Sequence, residues 1–597
     1  MVVELVLDAA PLTAGEYPQQ IGLRAVDIPR YLTGGNQVGH ANQVTVNEDG
    51  TISLSNSRGN TGFVDGDVGI AGEVKAQDVT LMAANRVNPT NPELIRTDNG
   101  DYSAPTVVLF PNEDFPDLAY TFIDSTVEDY QTLLYGGVAG TVSFIVTPEE
   151  NGITLIGDRL SQLGEQNFTV DSLNIVAEGN GGNFWLGKSF VSHHNLAQYQ
   201  EQFQRWQTGL GPEADLLLYS CFTALGMHGQ AFVNSLAART GADVAASTNL
   251  TGNAQLGGDW HLEYQTGNIE ATTPFTAGVQ EFYQGTLDTL TVDTTADDTI
   301  TGNTNGDGLL NLREALEASN NDSTVEGQTG SGTDTIRFDP TAFAGMQTIT
   351  LTNGELEISD DVTIEGTGQN NLSIDANHAS RVFSITANNV TLKDITITKG
   401  EVTGNGGGIN FAGTGTLTLE NSTVSGNSAT GSFGGFGGDG GDGGNGGGIF
   451  ADSGALTLTN STVSGNSATG GIGGNGGGNG GNGGNGGGIF ANTGALTLTN
   501  STVSGNSVAG GRGGRGSIGG IGGIGGNGGN GGGIFANTGA LTLTNSTVSG
   551  NSVTGGGGGY SGGNDSYNGG IGGNGHRGLR KYYANLYGKL VVAQSVS

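Results

Sequence analysis

Cysteine is almost absent from this 597-residue chain: Cys221 stands alone, so no intrachain disulfide braces the fold, and rigidity has to come from backbone ladders or bound metal. Cations are scarce too, with 21 Lys and Arg against 57 Asp and Glu and a net charge of −36. A surface of that sign repels phosphate backbones and anionic lipid while attracting divalent cations, which argues against nucleic acid as a partner. No run approaches the roughly 20 apolar residues of a membrane-spanning helix, so no transmembrane segment is expected. The opening MVVELVLDAAPLTAGEY also lacks the basic stretch and long apolar core of a conventional secretory signal. Residues 51–85 already alternate Val, Ile and Leu with polar residues as strands do, so the frame opens in mid-pattern and reads as a fragment of a longer protein.

Glycine, by contrast, is abundant: of 113 glycines, 67 fall between residues 401 and 575. In that stretch GGGIF…ALTLTNSTVSGN returns four times in near-copy, its markers Ile409, Ile449, Ile489 and Ile534 spaced by 40, 40 and 45 residues. A fixed period of this size means that each copy buries its apolar face only by stacking on its neighbours. In residues 446–466 three short strands alternate: GIFA around Ile449, LTLT with Leu456 and Leu458 on one face, and TVS around Val463. Three strands per turn, cornered by Ser, Gly and Asn, describe a parallel β-helix in which Leu458, Leu498 and Leu543 form one column and Val463, Val503 and Val548 another. Asn460, Asn500 and Asn545 fall at one corner and Asn466, Asn506 and Asn551 at the next, where stacked amides hydrogen-bond along the axis and left-handed backbone is tolerated.

Inserts such as GGIGGNGGGNGGNGGN (470–485) carry almost no side chain to bury and are expected to be flexible loops bulging from one corner. Residues 437–445, GGDGGDGGN, fail as a calcium-binding nonapeptide turn because Gly444 stands where an apolar residue must plug the core. Polysaccharide cleavage, another use of β-helices, needs paired carboxylates, or a metal or base with an Arg, on adjacent turns. Glu420, Asp439, Asp442, Asp452, Arg512 and Arg515 recur at no stacking position, which leaves carbohydrate cleavage the least favoured functional class.

Open coil ends expose strand edges that need covers. Leu309, Leu312 and Leu316 share one face of a helix before the first coils, and Leu579, Tyr583, Leu586 and Leu590 repeat that spacing in an abruptly basic tail that reads equally as a cap or an unrelated terminus. Asn303, Asn305, Asp307, Asn311 and Glu314 fall at oxygen-ligand positions of a twelve-residue calcium loop, with Gly308 at the turn. Asn303 replaces the usual Asp and no entering helix precedes it, so a turn feeding the helix is the preferred reading and calcium the alternative. NGDGLLNLREALEASNN, followed by DTIRFD and ITLTNGELEISDDVTIEGTG, resembles the "CSLREA" segment that opens many large bacterial surface proteins with parallel β-helix passengers, with Asn311 at the eponymous Cys. The resemblance covers about residues 288–555 and implies a right-handed, pectin-lyase-like β-helix in an exported or cell-surface protein with an adhesin-like stalk.

The middle of the chain has a different grammar. LNIVA (173–177), DLLLYS (215–220) and ADVAAS (242–247) are apolar runs flanked by helical stretches at 195–207 and 226–239, the signature of a parallel α/β sheet. Glu178-Gly179 follows the first run and Cys221 the second, at the strand ends where such sheets hold ligands. With FIDSTVEDYQTLL, LLLYSC, TGADVAASTNLTG and LGGDWHLE, the region resembles a caspase-like domain of unknown function found in those same surface proteins. In peptidases of that superfamily a His-Gly closes one strand and the nucleophilic Cys the next. Here Glu178 takes the His position, and a carboxylate beside a thiol disfavours the thiolate. His193, His194 and His228 are the other imidazoles near enough in sequence to weigh, and Trp185, Trp206 and Trp260 read as packing residues.

The expectation is therefore a multidomain chain: a β-rich segment over 1–105, the end of a longer β-helix; an α/β caspase-like domain over 106–287; CSLREA-like first coils over 288–400; a β-helix with Gly-rich loops over 401–555; and a tail over 556–597. Its function reads as a secreted or cell-surface structural protein facing an unknown protein or polysaccharide partner. The alternative is a cysteine peptidase or self-processing domain that uses Cys221 with Glu178 and His228.

Overall fold

The computed structural model describes residues 106–109, 117–298, 308–518 and 520–560, together with paired strands placed between residues 15 and 96. It divides into two units, Met1–Thr289 and Leu290–Ser597.

The first unit is built on five parallel strands, Ala119–Asp124, Thr141–Val146, Val170–Val176, Leu210–Tyr219 and Asp243–Ala246, in the order 2-1-3-4-5. That is a doubly wound order, and burial on both faces explains the near-continuous apolar runs of the sequence. One face is covered by helices Gly152–Glu165, Gln200–Trp206 and Gly226–Thr240 through Ile153, Ile156, Phe203, Trp206 and Phe232. Asn151 starts the first of these by accepting from the Thr154 N–H at 2.9 Å, and Gly241 ends the last at φ 75°. The other face is closed by Leu133, Leu134, Trp260, Phe275 and Tyr283. Thr106–Leu109 pairs antiparallel with Thr141–Val146 and extends the sheet toward Asp78–Ala83 and Thr51–Ser55. These outer strands are parallel, with Thr51 opposite Asp78 and Thr80 opposite Thr106, offsets of 27 and 26 residues that suit stacked coils.

The second unit is a parallel β-helix-like stack. Leu419, Leu458, Leu498 and Leu543 pair in register, as do Val424, Val463, Val503 and Val548, so like side chains pile above one another. Phe450, Phe490 and Phe535 stack on the outside with centroids 5.2 and 5.4 Å apart. The coils differ from the three-strand expectation. Up to Ile385 each coil has three strands, but Glu401–Thr403 opens a fourth column continued by Ser428–Thr430, Ser467–Thr469, Ser507–Ala509 and Ser552–Thr554. Ala468 and Val508 of that column are fully buried. The SAT and SVA triplets behind them are too short and too polar to stand out as strands in sequence.

The two asparagine sets divide the work expected of both. Asn421, Asn460, Asn500 and Asn545 supply left-handed backbone at φ 46–52°. Asn427, Asn466, Asn506 and Asn551 form the amide ladder, the first three each donating Nδ2 to the next Oδ1 at 2.9–3.0 Å. The neighbouring Gly426, Gly465, Gly505 and Gly550 take the left-handed turn there instead.

The glycine tracts are not loops. From 470 to 485 the exposed residues are Ile472, Asn475, Asn479 and Asn482, while Gly471, Gly474, Gly478, Gly481 and Gly484 are buried, so exposure recurs about every third residue as in polyproline-type chains. Each tract runs out and back as two legs, and the legs of successive coils are welded by a zigzag of backbone bonds: Gly471 N to Gly441 O at 2.7 Å, Gly481 to Gly471 at 2.9 Å, Gly511 to Gly481 at 2.7 Å, Gly526 to Gly511 at 2.9 Å and Gly556 to Gly526 at 2.7 Å. Rungs along each leg add Gly473 N to Arg512 O on the outgoing leg and Gly480 N to Ile524 O on the returning one, both at 2.8 Å. The third N–H of the triplet goes to side chains, as where Asp442 Oδ1 accepts from Asn482 N at 2.7 Å. The result is a slab whose cohesion is almost entirely main chain to main chain. A Cβ on Gly481 would lie 1.9 Å from the Gly441 carbonyl oxygen and one on Gly511 1.9 Å from that of Gly471, which is why side chains are excluded there. Gly444, the position that breaks the nonapeptide pattern, would meet the Gly404 oxygen at 1.7 Å.

The first coil is covered as expected, by a helix that starts three residues later than Leu309. It spans Leu312–Asn320 and buries Leu312, Ala315 and Leu316 in the β-helix core. Arg313 ties it down, pairing with the buried Asp297 at 2.8 Å and donating to the carbonyls of Glu355 and Gly354 at 2.9 and 2.8 Å. The basic tail with Leu579, Tyr583, Leu586 and Leu590 lies outside the described residues.

Candidate functional site

Val176 and Tyr219 are paired at the carboxyl ends of adjacent parallel strands, so the chain leaves both at the same level. Glu178 and Cys221 follow immediately, and the juxtaposition expected from sequence is present. A segment not anticipated there, Gly285–Thr289, crosses the same strand ends. Gly179 bridges Asp288 in parallel sense and Gly252 bridges Thr286 in antiparallel sense, so the segment is a short strand held on both sides. The Leu287 carbonyl oxygen accepts from two backbone N–H groups at once, Gly179 at 3.1 Å and Cys221 at 3.2 Å. Leu287 N in turn donates to Thr251 O at 3.1 Å, and Thr289 N to Gly179 O at 3.2 Å.

Beneath this strap Cys221 is completely buried. Its Sγ accepts from Thr251 N at 3.1 Å and lies 3.6 Å from Thr251 O. Burial, reinforced by the carboxylates of Asp288 and Glu178, pushes the thiol well above its ordinary range, against weaker opposition from the Thr251 and Leu287 N–H groups. Glu178 accepts from Thr289 Oγ1 at 2.9 Å and Asp288 from Thr286 Oγ1 at 2.6 Å, so strap hydroxyls hold both carboxylates. The phenol of Tyr283 is also pushed up, first by burial and then by Glu178. A thiol in this setting is protonated and shielded, the opposite of an activated nucleophile.

The imidazoles, unlike the thiol, are exposed. His228 is exposed in the first turn of helix Gly226–Thr240, and His193 and His194 are exposed beside each other with centroids 5.9 Å apart. Trp206 is buried and donates to Ile153 O at 3.0 Å, and Trp260 packs among Tyr219, Phe275 and Tyr283. Near Trp260 an open cavity of about 620 Å³ is lined by Tyr219, His261, Glu263, Gln265 and Thr273 on the face of the sheet.

Residues 120–287 match the model of a domain of unknown function, DUF4347. Neither a comparison with curated proteins nor one with solved structures yields a match. The DUF4347 region thus contains the five parallel strands, Glu178, Cys221 and the strap up to Leu287. What sequence reasoning missed is the strap itself, together with Thr251 and Asp288. The one local signal was the alternation TLDTLTV at 286–292, a pattern too short to separate from the first coil strand that it leads into.

In the second unit, Asn311 and Glu314 form the helix cap. Asn311 Oδ1 accepts from Glu314 N, and Glu314 Oε2 from Asn311 N, both at 3.0 Å, a reciprocal capping box in which both residues are fully buried. Asn303, Asn305 and Asp307 lie outside the described residues, and no cluster of three His, Cys, Asp or Glu suited to a metal occurs among the described residues.

Proposed function

We propose that this protein is a structural element of the cell surface or its secretions, an adhesin-like stalk built from a right-handed, pectin-lyase-like β-helix and carrying a caspase-like domain that performs no peptide cleavage in its native form. The observation that carries the reading is the register: coils pair without offset from Val362 to Leu541, leucine on leucine from Leu417 onward, and the glycine slab adds further backbone bonds per coil, which suits a rigid spacer. The silence of the domain rests on a protonated, strap-covered Cys221 with Glu178 beside it. Its partner is a surface protein or polysaccharide. No described helix is long and apolar enough to cross a membrane.

Fractionation of producing cells, with protease added to intact cells, tests the placement. The full-length product is expected in the protease-accessible or released fraction; complete protection inside intact cells would refute it.

A further inference from the structure

We propose that Gly285–Thr289 occupies the DUF4347 crevice in the register of a peptide substrate, with Leu287–Asp288 as the bond the site addresses and Glu178 as the residue that arrests the reaction. This rests on the reading that the native domain is silent.

The geometry has three parts. First, the Leu287 carbonyl is clasped by the Gly179 and Cys221 N–H groups at 3.1 and 3.2 Å. Two converging backbone donors on one carbonyl, one of them belonging to a cysteine, are the arrangement that stabilises an oxyanion when a thiol adds to that carbonyl. Second, the strap is aligned by main-chain pairing on both flanks, Gly179 with Asp288 and Gly252 with Thr286, which is how an extended peptide is gripped independently of its side chains. Third, the charges that act on the thiol are the carboxylates of Asp288 and Glu178, the latter fastened by Thr289 Oγ1 at 2.9 Å. A carboxylate there opposes the thiolate, whereas an imidazole supports it and passes the proton on.

The addressed reaction balances without a cofactor. Cys221 Sγ bonds to the Leu287 carbonyl carbon as the C–N bond to Asp288 breaks, and the thiol proton moves to the departing Asp288 nitrogen. Water then replaces sulfur, giving a Leu287 carboxylate and restoring the thiol. The substrate is the chain itself, and the products are residues 1–287 and 288–597.

The test uses the full chain. Wild type is expected to remain one 60.3 kDa polypeptide. Glu178→His is expected to split it, with a new amino terminus reading Asp288-Thr289-Leu290, and the double variant with Cys221→Ala is expected to stay whole. A Glu178→His protein with native tryptophan fluorescence that remains uncut, is cut elsewhere, or is still cut without the thiol overturns the proposal. A second measurement covers the case in which that variant does not fold. Leu287→Pro removes the N–H bonded to Thr251, and native alkylation of Cys221 is expected to rise at least about tenfold as the strap opens locally; an unchanged rate with native fluorescence overturns the proposal. Self-cutting by wild type would instead refute the silence of the domain and leave the register intact.

Discussion

Replacing Gly481 by alanine separates a packed glycine slab from a set of floppy inserts, because the two pictures give opposite signs. In a flexible loop, Gly→Ala stabilises by about 0.4–1 kcal/mol through the unfolded state. In the slab, the added methyl falls 1.9 Å from the Gly441 oxygen and 2.4 Å from its carbon, so the adjoining legs must part by more than an ångström. That opens the 2.7 Å bond from Gly471 to Gly441 and strains the 2.9 Å bond from Gly481 to Gly471, both between buried or half-buried groups. Each unsatisfied donor costs about 1–3 kcal/mol, so the net destabilisation is about 2–4 kcal/mol after the unfolded-state gain is deducted. Gly435→Ala is the internal control, since a Cβ there meets nothing within 4 Å and the backbone is not left-handed. Urea denaturation followed by far-UV circular dichroism, with hydrogen exchange of peptides spanning 470–486, reads both effects. Gly481→Ala should lower the β-helix midpoint and accelerate exchange in the flanking layers, while Gly435→Ala should leave both unchanged or slightly improved. Rapid exchange of the wild-type tract, or equal effects of the two variants, would refute the slab.

The amide ladder predicts that Asn506→Ala costs about 2–4 kcal/mol, since it orphans the Asn466 N–H and the Val463 carbonyl, whereas Asn500→Gly is nearly neutral because φ 52° is all that position requires; urea midpoints distinguish them. Arg313→Ala leaves the buried Asp297 without its guanidinium, held by the Thr352 and Asn353 N–H groups, and should cost about 3 kcal/mol, visible as loss of protection in helix Leu312–Asn320 by hydrogen exchange. The folded thiol of Cys221 titrates above its ordinary value of 9.0, so its contribution is complete below that pH and is lost as pH rises toward the folded value. Between pH 9 and 10, where tyrosine ionisation is common to both proteins, wild-type stability should fall by up to about 1.4 kcal/mol per pH unit more steeply than that of Cys221→Ala. Equal slopes would show that the thiol is not buried.

Much of this was written in the sequence. The 40-residue spacing of Ile409, Ile449 and Ile489 dictated the stack, the LTLT and TVS alternation dictated which side chains face inward, and Leu312 and Leu316 marked the covering helix. These succeed because each is a local pattern whose partner is a copy of itself, so the register follows from periodicity alone. The apolar runs ending at Ala177 and Ser220 likewise placed Glu178 and Cys221 together, since parallel strands align their carboxyl ends.

Tertiary structure decided the rest. A glycine tract read alone is indistinguishable from a linker, because it offers no side chain to pack; its order comes from main-chain bonds to tracts some 30 to 45 residues away, which appear only once the coils beneath hold those legs at bonding distance. The strap was hidden for the same reason: Leu287 reaches Gly179 and Cys221 through its backbone, 108 and 66 positions back along the chain, and backbone atoms carry no signature of the partners they will meet.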